Sequence, residues 1–462
     1  LPHLLLSTVA IAFLFTLGGI LTTSQAFGQA TCITVSGGDW NNSANWEEDT
    51  DTDGTPDGVQ CPSPGYPDDG DKAIIRVDDI ALNVDMTSGG EGPLADLTIE
   101  SGSGFALFLE NQNLDVSGSV TNNSSGSNNG LQLSSAFGDG NVSIGGSYSG
   151  SGRVRVGGNT LDIDGGGSSD NKSAFVNQSG GDINARSGGK IVVGDSTTVN
   201  DKGMDNDGAI DLSGAELIVA GTADNGQSNT SASIGLNNGS AVLRLSPGIG
   251  SPTKNSGTID IGDGSAFVGG NLSQNNSIQM SGGGTLFFVG NSALSGNYTS
   301  GNAFTNVKVA NKATADPGDA LNVQMTGELL VEGTYGQGSD EGSQLTFDGT
   351  DFSIGSSGTF NAQLVKFSRG NGNTTTVSGI IFANVSVTSD TKAKLTESFT
   401  INGKLSITGN PDDELEIRGG TLVLNGDVSI SGTLDAVNPN TGNNNPIEFR
   451  GDGRPRGHRG GR

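Results

Sequence analysis

Four aspartates near the N-terminus have the spacing of a loop that binds a hard cation. Asp49, Asp51 and Asp53 occupy alternate positions, followed by Gly54 and then Asp57. Alternate carboxylates converge on one point where the chain turns sharply, and a glycine permits that turn. Oxygen ligands of this kind suit Ca²⁺, so the sequence predicts one calcium ion with a structural role, bound by the four aspartates. A solvated acidic loop without a metal is the alternative.

The same segment resembles the acidic repeats of thrombospondin type 3, in which a cysteine also follows closely, as Cys61 does here. The resemblance implies calcium binding by the aspartates. The segment departs from the EF-hand pattern, because the twelfth position of the loop is Gln60 and the bidentate glutamate is therefore missing.

Groups for catalysis are scarce in this chain. Histidine occurs only as His3 and His458, so the long region between them has no imidazole for a general base, a serine–histidine triad or a zinc site. The enzymatic alternative is a β-helix polysaccharide lyase or glycoside hydrolase, which needs paired carboxylates, or a base beside acids that hold a metal. Its candidate groups are Asp78 with Asp79, Asp162 with Asp164, Asp412 with Asp413, and Arg153 with Arg155.

The positions of three basic residues discriminate between these functions. If Arg153, Arg155 and Lys190 cluster with acids in one groove, an enzyme is favoured. If they are scattered along the molecule, a non-catalytic protein is favoured.

The composition excludes several classes of protein. Glycine supplies 77 of the 462 residues, and hydrophobic residues make up only 32%. Because glycine is strongly unfavourable inside helices, an ordinary helical enzyme is excluded. Collagen is excluded as well, since glycine shows no strict three-residue period. Acidic residues outnumber basic ones 50 to 23, giving a formal net charge of -27, and such an anionic chain is not expected to bind nucleic acid.

Short runs bounded by Gly, Ser, Asn and Asp dominate residues 89–440. Their apolar residues often recur with a period of two, the signature of β-strands. The motif of residues 304–309 recurs at 382–387 and, more loosely, at 94–99, and a strand broken at glycine follows each copy. Such self-similarity predicts an all-β parallel β-helix, or β-solenoid, of about 17–20 coils with roughly 20–25 residues each.

Both chain ends differ from the repeats. Residues 1–30 combine an apolar stretch with a small-x-Ala cleavage site, which predicts a signal peptide and export. No later segment is apolar enough to span a bilayer as a helix. In an exported protein, Cys32 and Cys61 are expected to form one disulfide. Residues 441–462 form a basic Gly/Arg tail, expected to be disordered, with an Arg-Gly-Asp tripeptide at residues 450–452 that integrins recognise in other proteins.

Residues 31–88 lack the repeats and contain both tryptophans of the chain. Trp40 and Trp46 precede a Pro-Asp stretch that begins at Pro67 and leads into a strand. This order resembles the opening segment of secreted β-helix proteins of bacterial surfaces, of the adhesin and autotransporter-passenger type, and implies a cap on the first coil. A cap is also expected physically, because an open solenoid end exposes unpaired strand edges. A sugar-binding aromatic platform is the alternative role of the tryptophans.

Together these features predict a secreted or cell-surface β-solenoid without catalytic activity that serves adhesion or surface structure. Its regular surface would present Thr, Ser and Asn side chains to glycans or other surface molecules. Two alternatives stay open: the β-helix enzyme, and the stalk of a larger surface protein whose anchoring domain is missing from this sequence.

Overall fold

The computed structural model describes residues 29–450, except for gaps at residues 77–78, 103–105, 126–129, 136–137, 166–172, 195–201, 227, 246–252, 275–276, 280–281, 300–301, 319–320, 337–342, 372, 380, 410–411 and 438–440. Within these limits, the chain forms β-strands, turns and one short 3-10 turn at Ser43–Asn45. The strands wind into a parallel β-solenoid of about 14 turns, which confirms the predicted fold class. Residues 1–28 of the predicted signal peptide and the tail beyond residue 450 lie outside the described residues. The expectation of disorder from residue 441 onward is wrong for Ile447–Phe449, which forms a strand beside Leu422–Leu424.

The expected number of about 17–20 coils is too high. That expectation assigned coils to the whole chain after the signal peptide, whereas the residues before Lys72 form a cap rather than a coil.

Each turn passes through three faces in a fixed order. The first face contains the strands Lys72–Ile75, Asp96–Ile99, Val120–Asn122, Tyr148–Gly150, Phe175–Asn177, Lys202–Asn206, Thr222–Asn225, Thr253–Asn255, Leu272–Gln274, Asn291–Gly296, Thr314–Asp316, Thr334–Tyr335 and Thr359–Phe360. After a break it continues with Ile381–Phe382, Phe399–Ile401, Leu422–Leu424 and Ile447–Phe449.

The second face is also interrupted once. It contains the strands Ile80–Leu82, Ala106–Leu109, Gly130–Gln132, Arg153–Val156, Asp182–Arg186, Ala209–Ser213, Ser233–Leu236, Thr258–Asp260 and Ser277–Gln279. It continues with Asn322–Met325, Gln344–Phe347, Leu364–Phe367, Asn384–Val387, Leu405–Ile407 and Val428–Ile430. A short antiparallel hairpin, Ser134–Ser135 with Gly138–Asp139, is inserted beside it.

The third face is one continuous 15-stranded parallel sheet. Its strands are Leu114–Val116, Val142–Ile144, Thr160–Ile163, Lys190–Val193, Glu216–Val219, Val242–Leu245, Ser265–Val268, Thr285–Phe288, Asn306–Val309, Glu328–Val331, Asp351–Ile354, Thr374–Ser378, Lys392–Leu395, Glu414–Ile417 and Thr433–Asp435.

Alternation along each strand builds the core. In Thr160–Ile163, for example, Leu161 and Ile163 are completely buried, while Thr160 and Asp162 face outward. In-register parallel pairing places Leu161 beside Ile191 of the next coil, so apolar side chains stack on apolar side chains. The same register pairs outward charges, as in the ion pair between Arg153 and Asp182 at 2.9 Å.

The repeated sequence motif marks a corner of the solenoid and is used at all three corners. Residues 94–99 pass from the third face to the first, residues 304–309 from the second to the third, and residues 382–387 from the first to the second. The third residue of each copy accepts a hydrogen bond through Oδ1 from a backbone N–H one coil later. The pairs are Asp96 with Ser119 at 2.9 Å, Asn306 with Glu328 at 3.0 Å, and Asn384 with Lys404 at 2.6 Å.

The glycines that follow the motif fit this corner. Gly118, Gly327 and Gly403 each stand directly before the N–H that is bound. A Cβ at these positions would lie only 2.4, 2.3 and 2.3 Å from the accepting Asx oxygen of the preceding coil. The motif and the glycine lie about one coil apart in the sequence because they contact each other on neighbouring coils.

A cap closes the N-terminal end. Its strand Thr31–Thr34 lies parallel to Lys72–Ile75 of the first coil and antiparallel to Trp46–Glu48, which in turn pairs with Val59–Gln60. A short strand, Gly38–Asp39, lies parallel to Ile80–Leu82. The predicted disulfide between Cys32 and Cys61 is present, with a Cα–Cα distance of 5.8 Å.

The two tryptophans form the core of the cap. Both rings are buried and contact each other edge to face, with centroids 4.7 Å apart. The indole N–H of Trp40 donates to the carbonyl of Pro67, and that of Trp46 to the carbonyl of Trp40. Because a buried ring offers no face to a ligand, the alternative of a sugar-binding platform at these residues is wrong.

Candidate metal loop and ligand-binding face

The acidic loop connects the cap strands Trp46–Glu48 and Val59–Gln60. It brings three of the four predicted aspartates together: carboxylate oxygens of Asp49, Asp51 and Asp57 all lie within 4.8 Å of one another. Asp49 is buried, whereas Asp51 and Asp57 are exposed. The arrangement is therefore a carboxylate cluster with one buried and two solvent-facing members.

Asp53 does not belong to this cluster. Its Oδ1 accepts hydrogen bonds from the N–H of Thr55 at 2.7 Å and from the Thr55 hydroxyl at 2.6 Å, an Asx turn that fixes the tip of the loop. The alternate spacing alone predicts four equivalent carboxylates. The sequence does not indicate which of them accepts the hydrogen bonds of the Asx turn.

Hydrogen bonds hold two of the three carboxylates of the cluster in place. Asp57 Oδ2 accepts from the N–H and the hydroxyl of Thr50, and these bonds lower the pKa of Asp57, so the carboxylate stays ionised. Gly54, in the left-handed region at φ 83°, donates its N–H to Asp49 Oδ2 at 3.0 Å. The other oxygen, Asp49 Oδ1, is buried with no hydrogen-bond partner among the described residues.

Arg76 connects this loop to the solenoid. It follows the first-coil strand Lys72–Ile75, and its Nη2 donates to the carbonyl of Gly54 in the loop. Its guanidinium also pairs with Glu100 of the next coil at 2.8 Å, and this hydrogen bond raises the pKa of Arg76. One side chain thus joins the metal loop and two coils.

A second group of charges lies on the outward side of the second face. Arg153 and Arg155 project from the strand Arg153–Val156, and the next coil places Asn184 in register with Arg155. Arg186, two residues beyond Asn184 on the same side of its strand, is exposed. With Asp182, which pairs with Arg153, the group carries three positive charges and one negative charge, a local charge of +2, and Asp211 lies in register with Asn184 one coil further on.

Burial and the neighbouring positive charges both lower the pKa of Arg155. Desolvation, followed by the neighbouring charges of Arg153 and Arg186, lowers the pKa of Arg155. The Nε of Arg153 is buried with no hydrogen-bond partner among the described residues. Gln132, in register with Arg155 on the preceding coil, is buried near the hairpin that lies against Ala106–Leu109.

The remaining candidates of the enzymatic alternative do not join this group. Lys190 lies on the third face with Asp162, whose pKa is raised mainly by desolvation and by Asp164, against the opposing effect of Lys190. Asp413 is buried and accepts a hydrogen bond from the N–H of Thr391. Asp78 lies outside the described residues. Arginines and lysine are thus divided between two faces.

A cavity and a second carboxylate cluster are weaker candidates for a functional site, because the cavity has no titratable lining and the cluster is already paired with basic residues. A cavity of about 280 Å³ lies where the first face is interrupted and has no titratable side chain in its lining, which consists of Ile354, Gly358, Thr359, Phe360, Asn361 and Ile381. A second carboxylate cluster, formed by Glu414, Glu416 and Asp435, includes two ion pairs, Glu414 with Lys392 and Glu416 with Arg418.

Comparisons with protein-family models, with curated proteins and with solved structures find no match for this chain. No helix in the described part of the chain is long and apolar enough to cross a membrane.

Proposed function

We propose that this protein is a non-catalytic β-solenoid of the cell surface or extracellular space, and that it adheres to an anionic glycan through Arg153, Arg155 and Arg186. The observation that carries the proposal is the concentration of three arginines on one outward surface of a chain whose formal net charge is -27. Neighbouring like charges repel, so the group favours a ligand that brings negative charge.

Guanidinium chemistry fits such a ligand. The planar fork of arginine binds carboxylate or sulfate groups with two parallel hydrogen bonds, and a partly desolvated site strengthens them. In-register strands repeat along the axis at about 4.8 Å, so an extended polymer lying along the second face meets groups from successive coils. The disulfide supports a location outside the cytosol, where such bonds persist.

Binding of acidic polysaccharides tests the proposal. Heparin and polygalacturonate would be titrated onto the protein at low and high salt, with neutral dextran as a reference. We expect binding of at least one acidic polymer that weakens with salt. Arg155→Gln and Arg186→Gln should each weaken it about tenfold or more, since a charge-assisted hydrogen bond contributes about 1.5–3 kcal/mol.

Lys366→Gln is the matched control, because Lys366 projects from the strand Leu364–Phe367 of the same face many coils away. Its affinity should stay at the wild-type value. Equal losses in the control and the arginine variants would contradict a site at the arginines, and so would binding of dextran as strong as that of the acidic polymers. Release of reducing ends or unsaturated sugars from either polymer would contradict the non-catalytic assignment.

A further inference from the structure

We infer that Asp49, Asp51 and Asp57 bind one Ca²⁺, without Asp53, and that this ion locks the N-terminal cap onto the first coils through Arg76. The inference is independent of the glycan proposal, because it concerns the other end of the solenoid and a different ligand.

The buried oxygen of Asp49 is the first argument. Asp49 is only 6% exposed, and its Oδ1 has no hydrogen-bond donor among the described residues. Arg76 interacts with Asp49 electrostatically, but a buried carboxylate oxygen without a hydrogen-bond donor is still costly, whereas hydrogen-bonded or metal-bound carboxylates are common. The oxygen belongs to the carboxylate that meets Asp51 and Asp57, and we assign it to the cation held by the cluster because the other oxygen, Oδ2, already accepts from Gly54.

The geometry of the cluster is the second argument. Two oxygens that bind the same Ca²⁺ at about 2.3–2.6 Å lie at most about 5.2 Å apart. One carboxylate oxygen from each of the three aspartates lies within 4.8 Å of the other two. Three carboxylates supply hard oxygen ligands and a charge of -3, which more than balances the +2 of the ion, and the two exposed members leave room for water to complete the shell.

The role of the ion follows from the connections of the loop. The backbone N–H of Asp49 donates to Thr31 at 2.9 Å, so the metal loop begins at the first cap strand. Arg76 binds the carbonyl of Gly54 at the loop tip and Glu100 in the next coil. A metal that fixes the loop therefore also fixes the contact between cap and coils, and its removal leaves three carboxylates repelling one another at that contact.

Calcium binding to the full chain, freed of metal with EDTA, tests the inference by isothermal titration. We expect one site in the wild-type protein. Asp51→Asn should weaken binding at least about tenfold, because it removes an exposed carboxylate that makes few other contacts. Asp53→Asn is the matched control in the same loop: asparagine can still accept the Thr55 hydrogen bonds, so its affinity should stay within about threefold of wild type.

Far-UV circular dichroism and a thiol assay would show that both variants keep the fold and the disulfide. Absence of calcium binding by the folded wild-type protein would overturn the inference, as would equal losses of calcium affinity in Asp51→Asn and Asp53→Asn.

Arg76→Gln tests the coupling between the loop and the coils: the variant should still bind calcium but lose most of the calcium-dependent rise in Tm. A full rise in Tm in this variant would refute the role of Arg76. If Asp51→Asn loses calcium binding but keeps wild-type polysaccharide binding, this inference is supported independently of the glycan proposal.

Discussion

The two halves of the solenoid fill their cores in different ways. On the first face of the N-terminal half, a buried column of amides runs through Asn177, Asn206, Asn225, Asn255 and Gln274. Each asparagine donates its Nδ2 to the oxygen of the next amide, at 2.7 Å for the first three steps and 3.1 Å for the last.

In the C-terminal half, a cluster of phenylalanine rings fills the core. Phe352 lies at the centre of this cluster, with ring centroids of four neighbours between 5.2 and 5.8 Å away: Phe347, Phe360, Phe367 and Phe382. Phe382 stacks in turn on Phe399 at 4.8 Å. No directional bond holds these rings, so their stability depends on buried area and packing.

The difference shows that a parallel solenoid accepts either a polar or an apolar stack, provided that it repeats in register. The amide column needs strict register, because each Nδ2 must reach the oxygen of the next amide. Two glycines bound it: a Cβ at Gly150 would lie 1.9 Å from the carbonyl of Asn122, and one at Gly296 would lie 1.9 Å from that of Gln274. An asparagine side chain has no space at Gly150 or at Gly296, so the column starts after Gly150 and stops before Gly296.

The largest effect is expected in the aromatic half. Phe352→Ala should reduce the free energy of unfolding by about 3–5 kcal/mol, because it leaves a cavity among four rings. Chemical denaturation measures the loss, and hydrogen exchange should show that residues 344–401 open first. Phe267→Ala removes an outward-facing ring that stacks on Phe287 and should cost much less. Comparable losses in the two variants would contradict a core role for the cluster.

A smaller loss is expected in the amide half. Asn225→Leu removes the oxygen that accepts from the Nδ2 of Asn206 and the Nδ2 that donates to the Oδ1 of Asn255. We expect a loss of roughly 2–3 kcal/mol, since an orphaned buried group costs about 1–3 kcal/mol and the apolar side chain offsets part of it. Lys254→Leu, outward-facing on the next coil, should stay within about 1 kcal/mol of wild type. A stable Asn225→Leu variant would show that the column contributes nothing net.

The smallest effect concerns the tyrosines that flank the column, Tyr148 before it and Tyr298 after it. Burial raises the pKa of both phenols, so each stays neutral in the folded state while the unfolded chain ionises near pH 10. Their contribution to stability is therefore complete below about pH 10 and is lost as the pH rises, by about 1.4 kcal/mol per pH unit for each tyrosine.

Denaturation at pH 8 and at pH 11 measures this slope. Tyr298→Phe should have a smaller drop between the two pH values, although it loses the hydrogen bond to the carbonyl of Leu272. An unchanged drop would assign the alkaline sensitivity to other groups.

The candidate site was partly predictable. The Asp49 to Asp57 spacing predicted a cluster of carboxylates, and three of the four aspartates form one, but the exclusion of Asp53 by an Asx turn depends on local backbone geometry. Arg153 and Arg155 were visible as a pair, whereas Arg186 joins them only through the stacking of the next coil. The amide column was missed, although a signal was present: Asn177, Asn206, Asn225 and Asn255 each end a short strand and precede a glycine within four residues.

Alternation of apolar residues, abundant glycine and the recurring corner motif by themselves determined an all-β parallel solenoid, because period-two strands joined by tight turns can bury their apolar side only by stacking coil on coil. The two cysteines and two tryptophans likewise determined a distinct N-terminal module. Only the tertiary structure decided which face each copy of the motif serves, which side chains meet one coil later, and where the amide column ends. Those contacts join residues about 20–30 positions apart, and their partners depend on the length of every intervening turn, which local pattern does not fix.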